Sequence, residues 1–243
     1  MKIRAGPNTG CRWSLSAAGR HRSGHFEADR VGAILALLRP GDCVWDIGAH
    51  YGYVTLAASR AVGAEGHVYA LEPSAYNHAY LRRHLEWNGC ENVTPLKLGV
   101  AGAPGAARFG GTGSSQTFRL GGGSEVVEVT SIRAMMASGL RRPDVIKIDT
   151  EGAEADILTA GVPHLPPAAA FIVSIHAHHD YERCLSALAG TGFSVFLSAG
   201  VQTLKDRATW GGDPDVIAVG PERGDLLPTV SKLPGFAAVD GAA

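Results

Sequence analysis

The stretch Val44-Trp45-Asp46-Ile47-Gly48-Ala49-His50-Tyr51-Gly52 constrains the fold of this 243-residue chain more than any other. A short apolar run ends at an acid, and two glycines four residues apart lead into the next segment. Apolar runs of this length belong to strands buried on both faces. A glycine turn that carries such a strand into a helix is the opening unit of a parallel α/β sheet. The alternation then continues. Strands are expected at 43–47, 67–71, 93–100, 126–130, 145–148, 171–175, 193–197 and 216–219. Helical spacing of apolar residues covers 28–38, 53–61, 75–88, 131–138, 153–158 and 181–189. The expected fold is a mostly parallel α/β sheet with helices on both faces.

No linker splits the chain, so residues 26–220 are read as one domain. Residues 1–25 are read as an arm or hairpin around the turn Gly6-Pro7-Asn8-Thr9-Gly10, and 221–243 as a loosely structured tail. The 32 glycines have no three-residue period, which excludes collagen; many crowd into 101–124. A formal net charge of −1 offers no basic excess for a phosphate backbone, so no nucleic-acid partner is expected. No apolar run is long enough to span a bilayer, and no apolar core follows the scattered N-terminal arginines. Cys11, Cys43, Cys90 and Cys184 have neither zinc nor CxxC spacing and read as reduced thiols. A cytoplasmic protein without a membrane partner is expected, with homo-oligomer formation left open.

Ligands of such sheets bind outside the carboxyl ends of the strands. Gly48 lets a ligand approach the backbone, and the helix after Gly52 presents free N–H groups. A dinucleotide fingerprint needs glycine at position 50, where this chain has His50. An acid at the strand end repels phosphate and suits an ammonium group, which makes Asp46 a ligand candidate. The second strand ends in Glu72-Pro73, 26 residues after Asp46. A carboxylate there accepts hydrogen bonds from ribose hydroxyls. An amino-acid end and a ribose end together describe S-adenosylmethionine (AdoMet). The cofactor candidates are Asp46, Gly48, Ala49, Tyr51, Gly52, Glu72 and Pro73.

These segments, with Asn88, Asn92-Val93 and above all Ile146-Lys147-Ile148-Asp149-Thr150-Glu151-Gly152-Ala153-Glu154, resemble the FkbM family of methyltransferases over roughly residues 26–197. The resemblance implies a class I methyltransferase (Rossmann-like) fold with a seven-stranded, mostly parallel sheet. It also implies AdoMet as donor and O-methylation of a sugar or natural-product hydroxyl. Two departures stand out. Arg133 occupies a position usually held by Asp, and Ser174 in Val173-Ser174-Ile175-His176 stands where a Glu is usual.

Methyl transfer requires positioning of the acceptor and removal of its proton. The ends of the fourth and fifth core strands offer Asp149, Glu151 and His176 as catalytic candidates. Imidazole has the intrinsic pKa of a base near neutrality. The base is left open among His176, His178, His179 and Asp149. Lys147, inside an apolar strand, needs a carboxylate partner. Asp149, Glu151 and His176 also suit a divalent metal such as Mg²⁺, though no spacing compels one. Ser114–Thr117 and Trp210–Asp213 are candidate acceptor-side segments. Two rivals remain: a non-catalytic AdoMet-binding protein and an NAD(P)-dependent oxidoreductase.

Overall fold

The computed structural model describes residues 1–15, 20–24, 26–111, 119–176, 180–198 and 214–239. In chain order the main elements are α1 (Ala28–Leu37), β1 (Cys43–Ile47), α2 (Tyr53–Val62), β2 (His67–Leu71), α3 (Ala75–Asn88) and β3 (Val93–Leu96). Then come β4 (Gly99–Val100), β5 (Gly105–Gly110), β6 (Arg119–Leu120), β7 (Glu125–Thr130), α4 (Ile132–Ala137), β8 (Val145–Ile148) and α5 (Glu154–Gly161). The chain closes with β9 (Ala170–Ser174), α6 (Tyr181–Leu188), β10 (Ser194–Ser198), β11 (Asp215–Val219), α7 (Leu227–Val230) and β12 (Phe236–Ala238).

The main sheet has the order β12-β10-β11-β9-β8-β1-β2-β3. Strands β3, β2, β1, β8 and β9 run parallel, whereas β11, β10 and β12 are joined by antiparallel pairings. Every residue of β1, β8 and β9 is buried, as continuous apolar runs require. Alternate residues feed two cores. Trp45, Ile146 and Phe171 face Leu158 of α5 and Leu188 of α6. Val145 and Ile172 face Ile34 of α1, Leu56 of α2 and Leu81 of α3. The class I methyltransferase architecture expected from the sequence is present.

Three details differ. The main sheet has eight strands, the eighth being β12 at the β10 edge. The strand predicted over 93–100 divides at Lys97-Leu98. Its second part, β4, leaves the main sheet and pairs with β7 in a four-stranded sheet, β4-β7-β5-β6. Part of the glycine-rich stretch is therefore a small sheet, packed on Phe109, Val127 and Val129. The loosely structured tail is also corrected for 221–239. Arg223, Leu226 and Val230 are buried there, and Arg223 bonds Asp42 and the Leu37 carbonyl.

At the other terminus Lys2 bridges Arg12, and Trp13 stacks on His84 of α3 at 3.8 Å between ring centroids. All four cysteines are free. Among the described residues no helix is long and apolar enough to cross a membrane.

Candidate active site

The turn after β1 is shaped by neighbours distant in sequence. Gly48 has φ +77°, and a Cβ there would stand 1.8 Å from the Asp149 carbonyl oxygen. Glycine is required because the β1 and β8 loops touch backbone to backbone. Gly52 precedes α2 at φ +88°, and its Cβ would meet Leu81 Cδ1 at 2.6 Å. The parallel register makes Asp46 and Lys147 neighbours, and both face α2. Lys147 Nζ lies 3.2 Å from Asp46 Oδ1 and donates to the Gly48 carbonyl at 2.5 Å. Asp46 Oδ2 accepts from Thr55 Oγ1 at 2.6 Å.

The anticipated buried ion pair is thus Lys147 with Asp46. Burial alone would lower the lysine pKa, but Asp46 and Asp149 reverse this and raise it. Asp46 is fully buried and, like Gly52, is not part of the cavity lining. It secures Lys147 and the start of α2.

Gly48, Ala49, Tyr51, Glu72 and Pro73 do line the cavity, whose volume is about 420 Å³. Glu72 Oε2 accepts from the His50 N–H at 2.8 Å. Its Oε1 accepts from the Ser74 N–H at 3.0 Å and from Asn77 Nδ2 at 3.2 Å. Burial raises the Glu72 pKa to about 7, against the opposing effect of these hydrogen bonds. The carboxylate is held rigidly on the cavity wall. Leu98, Val100 and Phe109 form an apolar wall of the same cavity, and Phe26 and Tyr53 form another.

Asp149, Glu151 and His176 also line this cavity. His176 Nε2 lies 3.4 Å from Asp149 Oδ1 and 3.6 Å from Glu151 Oε1, while Nδ1 lies 3.0 Å from Glu154 Oε1. Burial alone would lower the imidazole pKa. The Glu154 hydrogen bond and the charges of Asp149, Glu154 and Glu151 outweigh it and raise the value to about 9. The shift favours the protonated form of the ring near neutral pH. Asp149 moves the other way. Burial opposes the shift, but Lys147, His176 and Arg30 lower its pKa.

No local sequence signal marks Arg30 and Asp215. Arg30 Nε donates to Asp215 Oδ1 at 2.9 Å, and its Nη1 lies 3.1 Å from Glu27 and 3.8 Å from Asp149. Asp215 on β11 is the cross-strand partner of Ser174 on β9, and Ser174 Oγ donates to it at 2.7 Å. A carboxylate thus stands beside position 174, on the adjacent antiparallel strand. At the other departure, Ser131 caps α4 through Ala134 N, and Arg133 is exposed.

Three non-glycine residues among those described have positive φ: Glu27 (46°), His50 (49°) and Glu151 (60°). All three line the cavity. Strain of this kind gathers at ligand sites. His178, His179, Ser114–Thr117 and Trp210–Asp213 lie outside the described residues.

The family model for the methyltransferase FkbM domain matches residues 46–195, from the end of β1 into β10. The chain belongs to the FkbM methyltransferase family. The chain is also similar to the hexuronic acid methyltransferase AglP of Haloferax volcanii, 26% identical over 191 residues, covering 75% of this chain and 76% of AglP. Among solved structures it resembles the O-methyltransferase TomG of Streptomyces achromogenes, involved in tomaymycin synthesis and bound to AdoMet. That likeness has a TM-score of 0.53 at 16% identity, over 85% of this chain and 88% of TomG. An O-methyltransferase of Bacillus cereus in complex with S-adenosylhomocysteine has a TM-score of 0.53 at 16% identity, over 78% of this chain and 80% of that one. At such identities these two likenesses concern the fold. Glu27, Arg30 and Asp215 lie outside the family-matched span of this FkbM member.

Proposed function

We propose that this protein is an AdoMet-dependent O-methyltransferase acting on a hydroxyl of a sugar or natural product. One observation carries the reading. Glu72, the Gly48–Ala49 turn, Asp149, Glu151 and His176 all line a single cavity of about 420 Å³. The residues fit the donor. Glu72 suits the ribose diol, the start of α2 the methionine carboxylate, and the apolar wall of Leu98, Val100 and Phe109 the adenine.

AdoMet supplies a methyl group on a positively charged sulfur. The acceptor oxygen forms a bond to that carbon as the carbon–sulfur bond breaks, with its electron pair kept by sulfur. The hydroxyl proton must go to a group of the protein or to water. In this reading Glu151 takes it, while Asp149 and His176 beside it position the acceptor oxygen. The similarity to an enzyme named for hexuronic acid supports a sugar acceptor.

Titration calorimetry with AdoMet tests the first half, and Glu72→Ala is expected to weaken binding. A panel of hexoses and hexuronic acids with methyl-labelled AdoMet tests the second. Failure of the wild type to bind AdoMet, or unchanged binding by Glu72→Ala, overturns the reading.

A further inference from the structure

We propose that the acceptor is an uncharged sugar ring held on a wall of Phe26 and Tyr53, with Glu27 and Arg30 at its edge, and that this wall disfavours uronic acids. The inference narrows the acceptor of the proposed function. It rests on that reading for the use of the ring, but not for its binding. Phe26, Glu27 and Arg30 line the same cavity as Asp149, Glu151 and His176, and all three precede the family-matched span. Arg30 ties the wall to the reacting end. Its Nη1 lies 3.1 Å from Glu27 Oε1 and 3.8 Å from Asp149 Oδ2. Phe26 is half-buried and stacks on His21 at 3.9 Å between ring centroids. Tyr53 stands edge-on to Phe26, at 5.7 Å and 77°. His21 is in turn stacked on Trp13 at 5.2 Å, and both are buried. The wall is therefore backed by other rings and is in place before a ligand arrives, which lowers the cost of binding.

A sugar ring needs both kinds of group found here. The C–H groups on one face of a pyranose carry partial positive charge, which the negative face of an aromatic ring attracts. Its hydroxyls need donors and acceptors at the edge, and Arg30 and Glu27 are of those two kinds. Tyr53 lines the same cavity, and its buried hydroxyl has no hydrogen-bond partner among the described residues. An unsatisfied hydroxyl beside aromatic rings suits a polyol better than an apolar ligand. Charge then separates a neutral sugar from a uronate. Among the described lining residues the permanent cations are Arg30 and Lys147, and both are committed. Arg30 Nε donates to Asp215 at 2.9 Å while its Nη1 faces Glu27. Lys147 Nζ lies 3.2 Å from Asp46 and donates to the Gly48 carbonyl. His176 is ringed by Asp149, Glu151 and Glu154. A carboxylate on the ring would thus stand among Glu27, Asp149 and Glu151 without a cation of its own, and like charges repel more strongly in a cavity than in open water. A hydroxyl in the same place donates hydrogen bonds to the same carboxylates.

The test is binding of matched probes to the full chain with S-adenosylhomocysteine present, read by saturation-transfer NMR. The probes are the methyl glycosides of glucose, galactose and mannose, each paired with its uronic acid. In the pair that binds best, the neutral member is expected to bind at least about tenfold more tightly. Phe26→Ala is expected to weaken that binding about tenfold with AdoMet affinity unchanged, and Phe26→Tyr to recover most of it. Glu27→Gln is expected to narrow the gap between neutral sugar and uronate. Circular dichroism establishes that each variant is folded. Uronates that bind as well as their neutral partners overturn the inference. So does equal glycoside binding by wild type and Phe26→Ala, or no binding of any neutral probe at millimolar concentration. Each of these results leaves AdoMet binding and the transferase reading intact. A protein that binds the glycosides as expected but not AdoMet keeps the wall and loses that reading.

Discussion

Ser174 on β9 and Asp215 on β11 are cross-strand partners, and the serine hydroxyl donates to the aspartate at 2.7 Å. Through this contact an acid outside the family-matched span is brought beside Arg30 and Asp149 at the cavity. Asp215→Ala leaves the half-buried Arg30 guanidinium short of a partner. It is expected to cost about 1–3 kcal/mol of stability in urea denaturation. Moving the acid across the strands, with Ser174→Asp and Asp215→Ser together, is expected to recover most of that loss. A double variant no more stable than Asp215→Ala would refute the exchange.

Under the proposed function, Glu72 is expected to make AdoMet affinity pH-dependent. Its pKa is raised to about 7 in the folded protein, from an ordinary value of 4.5. Below about pH 7 the carboxyl is protonated and loses acceptor capacity toward the ribose hydroxyls. Affinity should therefore fall as pH drops through 7, approaching tenfold per unit well below it. Stability of the free protein moves oppositely. A carboxyl raised by folding is penalised as pH climbs from 4.5 to about 7, and this contribution levels off above that window. Calorimetry between about pH 6 and 8 in Glu72→Gln should show the AdoMet pH dependence flattened.

Lys147 and Asp46 are expected to behave as one unit. Lys147→Met strands a buried carboxylate and should cost about 3–5 kcal/mol. Adding Asp46→Asn should return a large part of it, giving a clear coupling energy in a double-mutant cycle. Strictly additive losses would show that the 3.2 Å contact has no energetic content.

Tyr53 is 4% exposed, lines the cavity, and its hydroxyl has no hydrogen-bond partner among the described residues. An unsatisfied buried hydroxyl is a cost to the free protein. Tyr53→Phe should therefore raise the melting temperature slightly, by an amount equivalent to about 1 kcal/mol. If the hydroxyl meets a ligand, the same variant should weaken AdoMet or acceptor binding several-fold. Loss of stability together with unchanged binding would exclude this role.

The boundaries of β1, α2, β2, α3, β8 and α6 were close to legible because each is encoded by a local period of apolar residues. The Gly48 turn and Glu72 were legible for the same reason: strand ends and helix starts are local events. The fate of Asp46 was not. A residue at a strand end faces the ligand or the helix layer according to the register with β8, and Lys147 decides that register partner from 101 positions away. Nor was the raised pKa of His176 legible, since it depends on three carboxylates that converge only once β8, α5 and β9 are packed.

The sequence by itself determined the alternation of strands and helices, the glycine turn and the acids at the strand ends, because these follow from short-range periodicity and backbone sterics. Only the tertiary structure decided that Asp46 pairs with Lys147, that Asp215 stands beside Ser174, and that Glu154 holds His176. Each depends on strand register and desolvation, which arise between segments remote in the chain and leave no local pattern to read.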